Sequence, residues 1–329
     1  MSRKPNIVLI TSDQQRADCF GFENPHLRTP HLDRLAAEGM RFSACITPNL
    51  VCQPSRASIL TGLLPLTHGV WDNGVDLDPR IGEEGFAGTL ARAGYQTAFF
   101  GKAHFATKAT FRPTGTPECM RSGARYGPAW HGPYMGFERV ELVVLGHVNN
   151  PTPLERPPVG HYERWLLSRA DEHEVLHLLT APAGPDTEGA AQTWHSALPA
   201  AWHSSTWLAD RMTGFLQTRD RSRPFCAWVS FPDPHQPFDC PTPWSLLHEP
   251  SAVPLPRTRN EDPVTSRPWW YKATLEGIPA LADPQFRHLR AKVSRIPKQT
   301  DRQLAQMTAN YYGMISLIDH SVGRILDAL

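Results

Sequence analysis

The chain has 329 residues and a formal charge of only +1, so it is long enough for one large domain and has no bulk field that would draw it to nucleic acid or to an anionic membrane. The first apolar run, residues 7–10, is too short for a signal-peptide core, and no segment is long enough to span a bilayer. These features predict a soluble, cytoplasmic protein with no membrane or nucleic-acid partner. The six cysteines form no CxxC pair, which argues against a zinc site or a disulfide framework.

A short strand is predicted near the start of the sequence. Residues 6–10 are predicted to form this strand, because the apolar run at 7–10 is of the kind buried in a parallel sheet, and Asp13 and Gln14 follow its predicted carboxyl end. Open α/β sheets place their ligands at this edge, which makes Asp13 a candidate ligand-binding carboxylate. If the strand stood alone, a loop-capping aspartate would explain the same residue.

A cysteine at the start of a helix is the next chemical signal. After a helix predicted between its cap Thr29 and its stop signal Gly39, Cys52 precedes a Pro-Ser-Arg turn and a helical pattern that closes on Gly62. The sulfur is therefore predicted to lie at a helix N-terminus, where backbone N–H groups and the helix dipole favour anions. Arg56 adds a fixed positive charge one turn along. The alternative is a small buried cysteine in a helix-capping turn.

A second α/β repeat brings further polar residues. Asn73 lies in a turn-rich loop, where it can serve the turn alone or reach a ligand. A helix is predicted at residues 86–93 and a buried strand at 96–100, and Lys102 and His104 follow that strand. Because parallel strands end at the same edge of a sheet, both side chains are expected near Asp13.

The segment from 105 to 203 is rich in proline, glycine and histidine and reads as an insertion that caps the pocket. The elements predicted within it are a strand at 140–145 and helices at 162–167 and 172–179. His173 and His177 have metal-ligand spacing, but no third ligand accompanies them, so we interpret them as part of a solvated helix face.

A third strand end follows. A helix is predicted at residues 204–217 and a buried strand at 225–231, which leads into a loop where two prolines restrict His235. A structural histidine in a rigid loop is the simpler interpretation. Convergence with the two earlier strand ends favours a catalytic one.

Four segments resemble the type I, formylglycine-dependent sulfatases of the alkaline-phosphatase-like superfamily. They are KPNIVLITSDQQRAD (4–18), CQPSRASILTG (52–62), GKAH (101–104) and SFPDPHQPF (230–238). The resemblance implies that a formylglycine-generating enzyme converts Cys52 to formylglycine, whose hydrated aldehyde attacks the sulfur of a small-molecule sulfate ester. It also implies an α/β fold with a mostly parallel central sheet and helices on both faces.

The resemblance assigns roles to individual residues. Asp13, Gln14 and the modified Cys52 are implied to bind a divalent cation, with calcium expected and magnesium or manganese as alternatives. Gln14 departs from the family pattern, in which a second aspartate is common, and removes one charge from the site. The implied catalytic residues are Cys52, Arg56, Lys102, His104 and His235, and the implied substrate contacts are Asn73, Lys102 and His235.

The last predicted element is an amphipathic helix over residues 301–329. Asp319 and His320 imitate the metal-binding pair of sulfatases, but this helix resembles the one that precedes that pair in the family. We therefore read residues 1–329 as one sulfatase-like catalytic domain that lacks its C-terminal strands and subdomain. The expected consequences are weak metal binding, impaired or absent activity, an open sheet edge beside the site, and an exposed apolar side on the last helix.

The function predicted from the sequence is hydrolysis of sulfate esters by the formylglycine at position 52. A phosphonate or phosphate diester hydrolase with the same type of site is one alternative, favoured by Gln14 and disfavoured by Lys102. A truncated, non-catalytic sulfatase-like protein is the other, and it would keep an unmodified thiol at Cys52.

Overall fold

A parallel sheet forms the centre of the molecule. The computed structural model describes residues 4–108, 113–144, 160–260 and 298–329. Within them the sheet has four strands in the order β1-β4-β2-β3, and every neighbouring pair is parallel. The strands are β1 (Ile7–Ser12), β2 (Gln96–Gly101), β3 (Arg139–Leu142) and β4 (Phe225–Phe231).

Helices cover both faces of this sheet, which confirms the predicted α/β class. They are α1 (Pro30–Glu38), α2 (Cys52–Thr61), α3 (Pro65–His68), α4 (Pro79–Glu83), α5 (Phe86–Arg92), α6 (His161–Leu167), α7 (Glu172–Thr180), α8 (Ser204–Thr218) and α9 (Asp301–Ala328). None of the described helices is both long enough and apolar enough to cross a membrane.

Alternate residues of the strands pack into two separate hydrophobic cores, one on each face of the sheet. Phe99 and Trp228 belong to a cluster with residues of α2 and α5, whereas Phe100 and Val229 belong to a cluster with residues of α6 to α9. This division follows from the two-residue period of a strand, which sends successive side chains to opposite faces. Because β4 is buried along its whole length, it needs apolar or small residues at every position, and its bounds match the sequence prediction.

The third strand is shorter than predicted. The sequence indicated 140–145, whereas β3 covers Arg139–Leu142 and pairs with β2. Residue 145 lies outside the described residues. The strand shows that part of the 105–203 segment belongs to the central sheet, and α6 and α7 from the same segment pack into the core cluster beside α8.

Two expectations about the exposed surface have different outcomes. Among the described residues β1 pairs with β4 alone and its side chains are only partly buried, which is compatible with the expected open edge in that part of the chain. The expected exposed side of α9 is wrong, because α1, α8 and the turns at 244–246 and 250–252 surround this helix and bury even Asn310 and Ser321. The exposed apolar side chains instead include Met40, Phe42, Ile46 and Leu50, of which Leu50 is 95% exposed.

Candidate active site

The sheet order brings three strand ends together. Because β4 lies between β1 and β2, the residues that follow these strands are neighbours at one edge. The Asp13 amide donates to the carbonyl of Asp233 at 2.9 Å, and the Lys102 amide donates to the carbonyl of Ser230 at 2.9 Å. Backbone hydrogen bonds therefore fix the start of each loop relative to its neighbour.

Cys52 is the first residue of α2, as predicted. Its helix has no side-chain cap from Val51; instead Asn73 Oδ1 accepts a hydrogen bond from the Gln53 amide at 3.1 Å. The Gln53 side chain in turn bonds the backbone of the Asn73 loop, donating to the Val75 carbonyl at 2.6 Å and accepting from the Gly74 amide at 2.9 Å. Asn73 thus supports the helix that presents Cys52, and its predicted contact with substrate stays a prediction.

Three potential ligand atoms converge at this point. One atom each from Asp13, Cys52 and His235 lie within 4.8 Å of one another. His235 Nδ1 lies 2.7 Å from the carbonyl of Gln236, which can only accept, so Nδ1 carries a proton. The histidine that the sequence linked to the leaving group is therefore also close enough to share a cation with the other two residues.

An open cavity of about 680 Å³ contains this cluster. Asp13, Gln14, Cys52, Arg56 and Asn73 line it together with His235. Further lining residues are Thr11, Ser12, Gln15, Arg16, Thr47, Asn49, Leu50, Val51, Ser55 and Ile59. Most of the predicted site residues therefore share one cavity.

Gln14 is held in an unusual backbone conformation. Its φ is 64°, in the left-handed region, and its side chain is exposed at the cavity wall. Tyr311 of α9 fixes this turn, because its hydroxyl donates to the Gln14 carbonyl at 2.9 Å and accepts from the Arg16 amide at 2.8 Å. The sequence contained no signal for this support, since Tyr311 lies almost 300 positions away along the chain.

Asp13 is buried among positive charges. Its carboxylate forms an ion pair with Lys102, and Oδ2 lies 3.9 Å from Nη2 of Arg56. Burial by itself would raise the pKa of Asp13, but Lys102, Arg56 and His235 together hold that pKa well below its usual range. Asp13 therefore remains a carboxylate at neutral pH, which is the form a hard cation binds.

Arg56 joins the ends of two strands. Its Nη1 donates to the Lys102 carbonyl and to Ser230 Oγ, both at 2.6 Å, and Ser230 Oγ also donates to the Lys102 carbonyl at 2.7 Å. These bonds fix the guanidinium beside Asp13 and orient it in the cavity wall. Ser230 was missed from the sequence, because a serine near the end of a buried strand gives no distinctive signal.

His104 is close to the site but buried. Nδ1 of His104 has no hydrogen-bond partner in the described part of the chain. Burial, reinforced by the charges of Lys102, Lys108 and Arg56, lowers the pKa of His104 well below its usual value, so the ring is neutral at pH 7. Neither His104 nor Lys102 lines the open cavity, and Lys102 instead reaches the site through its ion pair with Asp13.

Lys108 is a further cation that the sequence did not single out. Burial, together with the charge of Lys102, lowers its pKa to about 8, and Cys52 and Asp13 also act on it electrostatically. A lysine four residues after His104 has no pattern that distinguishes it from a solvated one.

The two candidate metal-binding pairs outside the site, His173 with His177 and Asp319 with His320, have structural explanations. His173 and His177 are exposed on α7, in agreement with the predicted solvated face. Asp319 accepts hydrogen bonds from the amides of Leu32 at 2.8 Å and His31 at 3.3 Å, so its carboxylate caps α1 from another helix. The interpretation of Asp319 and His320 as a false metal pair agrees with this cap.

The predicted pocket-capping role of the 105–203 segment stays a prediction. No described residue of that segment lines the 680 Å³ cavity. Residues 109–112 and 145–159 of the segment lie outside the described residues.

The ion pair of Asp13 with Lys102 leads to a prediction about cation binding. A bound cation and the Lys102 ammonium would compete for the same carboxylate. Lys102→Met should therefore tighten calcium binding roughly ten- to a hundredfold, since a charge-assisted hydrogen bond contributes about 1.5–3 kcal/mol. Calorimetric titration at pH 7 measures this, with Lys4→Met as the control because Lys4 is exposed and its contacts with the Ala93 carbonyl and the Tyr95 ring lie outside the cavity. Unchanged or weaker binding by Lys102→Met would show that Lys102 does not compete.

Known proteins resemble this chain over nearly its whole length. A family model described as Sulfatase matches residues 5–329. The chain is 29% identical over 330 residues to an arylsulfatase of Clostridium perfringens and 29% identical over 336 residues to the multifunctional alkaline phosphatase superfamily protein PehA of Trinickia caryophylli; each alignment covers 99% of this chain and 59% of the relative. Among solved structures, the phosphonate monoester hydrolase of Agrobacterium radiobacter has a similar fold, with a TM-score of 0.68 at 24% identity over 99% of this chain and 59% of that one. The chain thus spans 59% of the length of these proteins and belongs to the sulfatase family.

Proposed function

We propose that this protein hydrolyses sulfate esters through a formylglycine made from Cys52 and a divalent cation bound beside it. The observation that carries the proposal is the helix N-terminus at which Cys52 lies within 4.8 Å of Asp13 and His235. A formylglycine at this position supplies a geminal diol, of which one hydroxyl attacks sulfur and the other allows the sulfate to be released. Arg56 and Lys102 place positive charge where the attacking and ester oxygens become negative.

The residues around Cys52 fit a hard cation. Asp13 supplies a carboxylate that stays ionised, Gln14 an amide oxygen at the cavity wall, and the modified residue 52 a further oxygen. Calcium is the proposed ion, with magnesium or manganese as alternatives, and it would act as a Lewis acid on the nucleophile. Calcium takes about six to eight oxygens, so water, substrate or residues beyond those described would complete its coordination.

His235 and His104 have different proposed roles in proton transfer, the first as donor and the second as acceptor. When the sulfur–oxygen bond of the ester breaks, the leaving oxygen needs a proton, and the proposed donor is Nε2 of His235 in its doubly protonated form. His104 is neutral at pH 7 and has an unpartnered Nδ1 within the described structure, so it is the proposed acceptor for the proton of the second hydroxyl. Asn73, at the cavity wall, is the proposed additional substrate contact.

Phosphonate or phosphate diester hydrolysis is the second candidate. Gln14 favours it, because it departs from the sulfatase pattern, in which a second aspartate is common at this position. The similarity to PehA is also compatible with activity on several ester types. Lys102 favours the sulfatase, since the sulfatase pattern includes a lysine at this point and phosphonate hydrolases tend to lack it.

Mass and turnover together test these proposals. Protein co-expressed with a formylglycine-generating enzyme should have an intact mass roughly 18 Da lower than the unmodified chain, because CHO replaces CH₂SH at residue 52. With calcium present it should hydrolyse 4-nitrophenyl sulfate faster than 4-nitrophenyl phenylphosphonate. The reverse preference would favour the phosphonate hydrolase, and an unmodified thiol without turnover of either ester would identify a non-catalytic protein.

A further inference from the structure

Glu118 is a buried carboxylate attached to the loop that follows β2. Its Oε2 accepts a hydrogen bond from the His104 amide at 2.5 Å, and its Oε1 accepts from the Phe105 amide at 3.1 Å. The hydroxyl of Tyr134 also donates to Oε1, at 2.7 Å. Two successive backbone amides and a phenol thus share one side chain, which is an unusual concentration of donors on a carboxylate that is only 4% exposed.

The backbone at this point needs external support. His104 has a φ of 52°, and a non-glycine residue in the left-handed region costs about 1–2 kcal/mol. The strand end holds one side of the segment, because the Lys102 amide bonds to the Ser230 carbonyl. On the other side the Phe105 ring is buried against Phe99 and Trp228. Between these anchors, Glu118 holds both amides at the turn itself.

We propose that Glu118 is a positioning residue that fixes the backbone of residues 102–105 and thereby sets the directions in which the Lys102 and His104 side chains point. The structural part of this inference stands independently, whereas its catalytic consequence rests on the proposed function. A carboxylate suits the task because it offers an acceptor atom to each of two adjacent N–H groups. A glutamine would present one oxygen and one NH₂ group to the same two donors.

The protonation state of Glu118 makes the support dependent on pH. Burial raises its pKa to about 7, against the lowering effect of its bonds to Tyr134 and to the two amides. Asp76, whose carboxylate accepts a hydrogen bond from the Thr107 amide at 2.6 Å, also raises this pKa through its negative charge. The two amide bonds lower the pKa of Glu118, so releasing them while the side chain stays buried would raise that pKa further. Ionisation therefore favours the bonded segment, which should be held more firmly as pH rises through about 7.

Local and global stability should respond oppositely to this ionisation. An acid whose pKa is raised on folding binds more protons in the folded state between its ordinary value of 4.5 and about 7. Its contribution to the free energy of unfolding is therefore fully present at low pH and declines as pH rises through that window. At pH 6 the backbone of residues 102–105 should therefore be less protected, although protonation of Glu118 does not lower the free energy of unfolding of the whole protein.

Hydrogen–deuterium exchange of peptides spanning residues 102–108 tests the positioning role without any need for activity. After correction for intrinsic exchange, protection in the wild-type protein should be roughly tenfold higher at pH 8 than at pH 6, the effect of about 1.4 kcal/mol. Glu118→Gln should show low protection at both pH values. Glu138→Gln is the control, because Glu138 forms an exposed ion pair with Arg223 and should leave the peptide unchanged.

Kinetics provide the second readout. Glu118→Gln should lower kcat for 4-nitrophenyl sulfate roughly ten- to a hundredfold with KM little changed, and should remove an inflection near pH 7 from the kcat profile. If the wild-type protein shows the exchange pattern but no turnover, the proposed function fails and the positioning role stands. Wild-type protection that is independent of pH would overturn the proposal even if the variant did not fold. Unchanged protection in a folded Glu118→Gln protein would overturn it as well.

Discussion

Replacing Cys52 with alanine should lower turnover of 4-nitrophenyl sulfate by at least roughly four orders of magnitude, the scale seen when an enzyme loses its nucleophile. Alanine cannot be converted to formylglycine, so the variant retains the helix N-terminus and the positive side chains but lacks the attacking oxygen. Cys52 is only partly buried and forms no disulfide in the described part of the chain. The free energy of unfolding should therefore change by less than about 1 kcal/mol.

The control for this variant is Cys45→Ala. Cys45 is exposed and does not line the cavity, so its loss should leave both turnover and intact-mass conversion unaffected. Initial rates and intact mass measured on both variants separate loss of the nucleophile from general damage. Retained turnover in a folded Cys52→Ala protein would refute the assignment of this residue as the nucleophile.

Asp13→Asn should have the second largest effect, because Asp13 is the proposed carboxylate ligand of the cation and also neutralises Lys102 and Arg56. We expect turnover to fall by at least roughly a thousandfold, comparable to the loss of a major electrostatic contribution to the transition state. Removal of one member of a buried ion pair typically costs about 3–5 kcal/mol, since the other charge stays buried without compensation. Chemical denaturation at pH 7 should show a loss of this order.

The dependence of that loss on pH follows from the pKa of Asp13. Because the folded-state pKa lies below the ordinary value of 3.8, the stabilising effect of the carboxylate is fully present above that value and is lost as pH falls towards the folded-state pKa. The wild-type and Asp13→Asn proteins should therefore differ most at neutral pH and converge in acid.

Asp18→Asn is the matched control for Asp13→Asn. Asp18 follows the same strand but forms an exposed ion pair with Arg16, which should contribute no more than about 1 kcal/mol. Equal stability losses in the two variants, or normal turnover in Asp13→Asn, would contradict the central role of Asp13.

Much of the fold could be predicted because its signals are local. The apolar run of β4 identifies a strand buried on both faces, and its bounds agree with the prediction, as do those of the helices near 162–167 and 172–179 to within a residue. Side chains at the ends of parallel strands meet at one edge whatever the loops do. Asp13 and His235 could therefore be expected beside each other, and the structure places a ligand atom of each within 4.8 Å of Cys52.

The errors and omissions concern contacts between distant parts of the chain. The expected lack of C-terminal strands suggested an exposed apolar side on α9, but the helix is surrounded by other elements, which bury even Asn310 and Ser321. Glu118, Ser230 and Tyr311 were not singled out, since a residue that supports a backbone turn carries no motif of its own. The tertiary packing around the sheet decides which backbone groups such a side chain contacts.

The sequence by itself determined the order of strands and helices, the family, and the chemical groups at the site, because apolar periodicity and short motifs are properties of neighbouring residues. Only the tertiary structure decided which side chains share the cavity, that Lys102 pairs with Asp13, and that Glu118 holds the turn at His104. Those outcomes depend on burial and on distances across strands that are far apart in the chain. Burial raises the energetic weight of each charge and each unpaired polar group, and a linear sequence does not show where burial will occur.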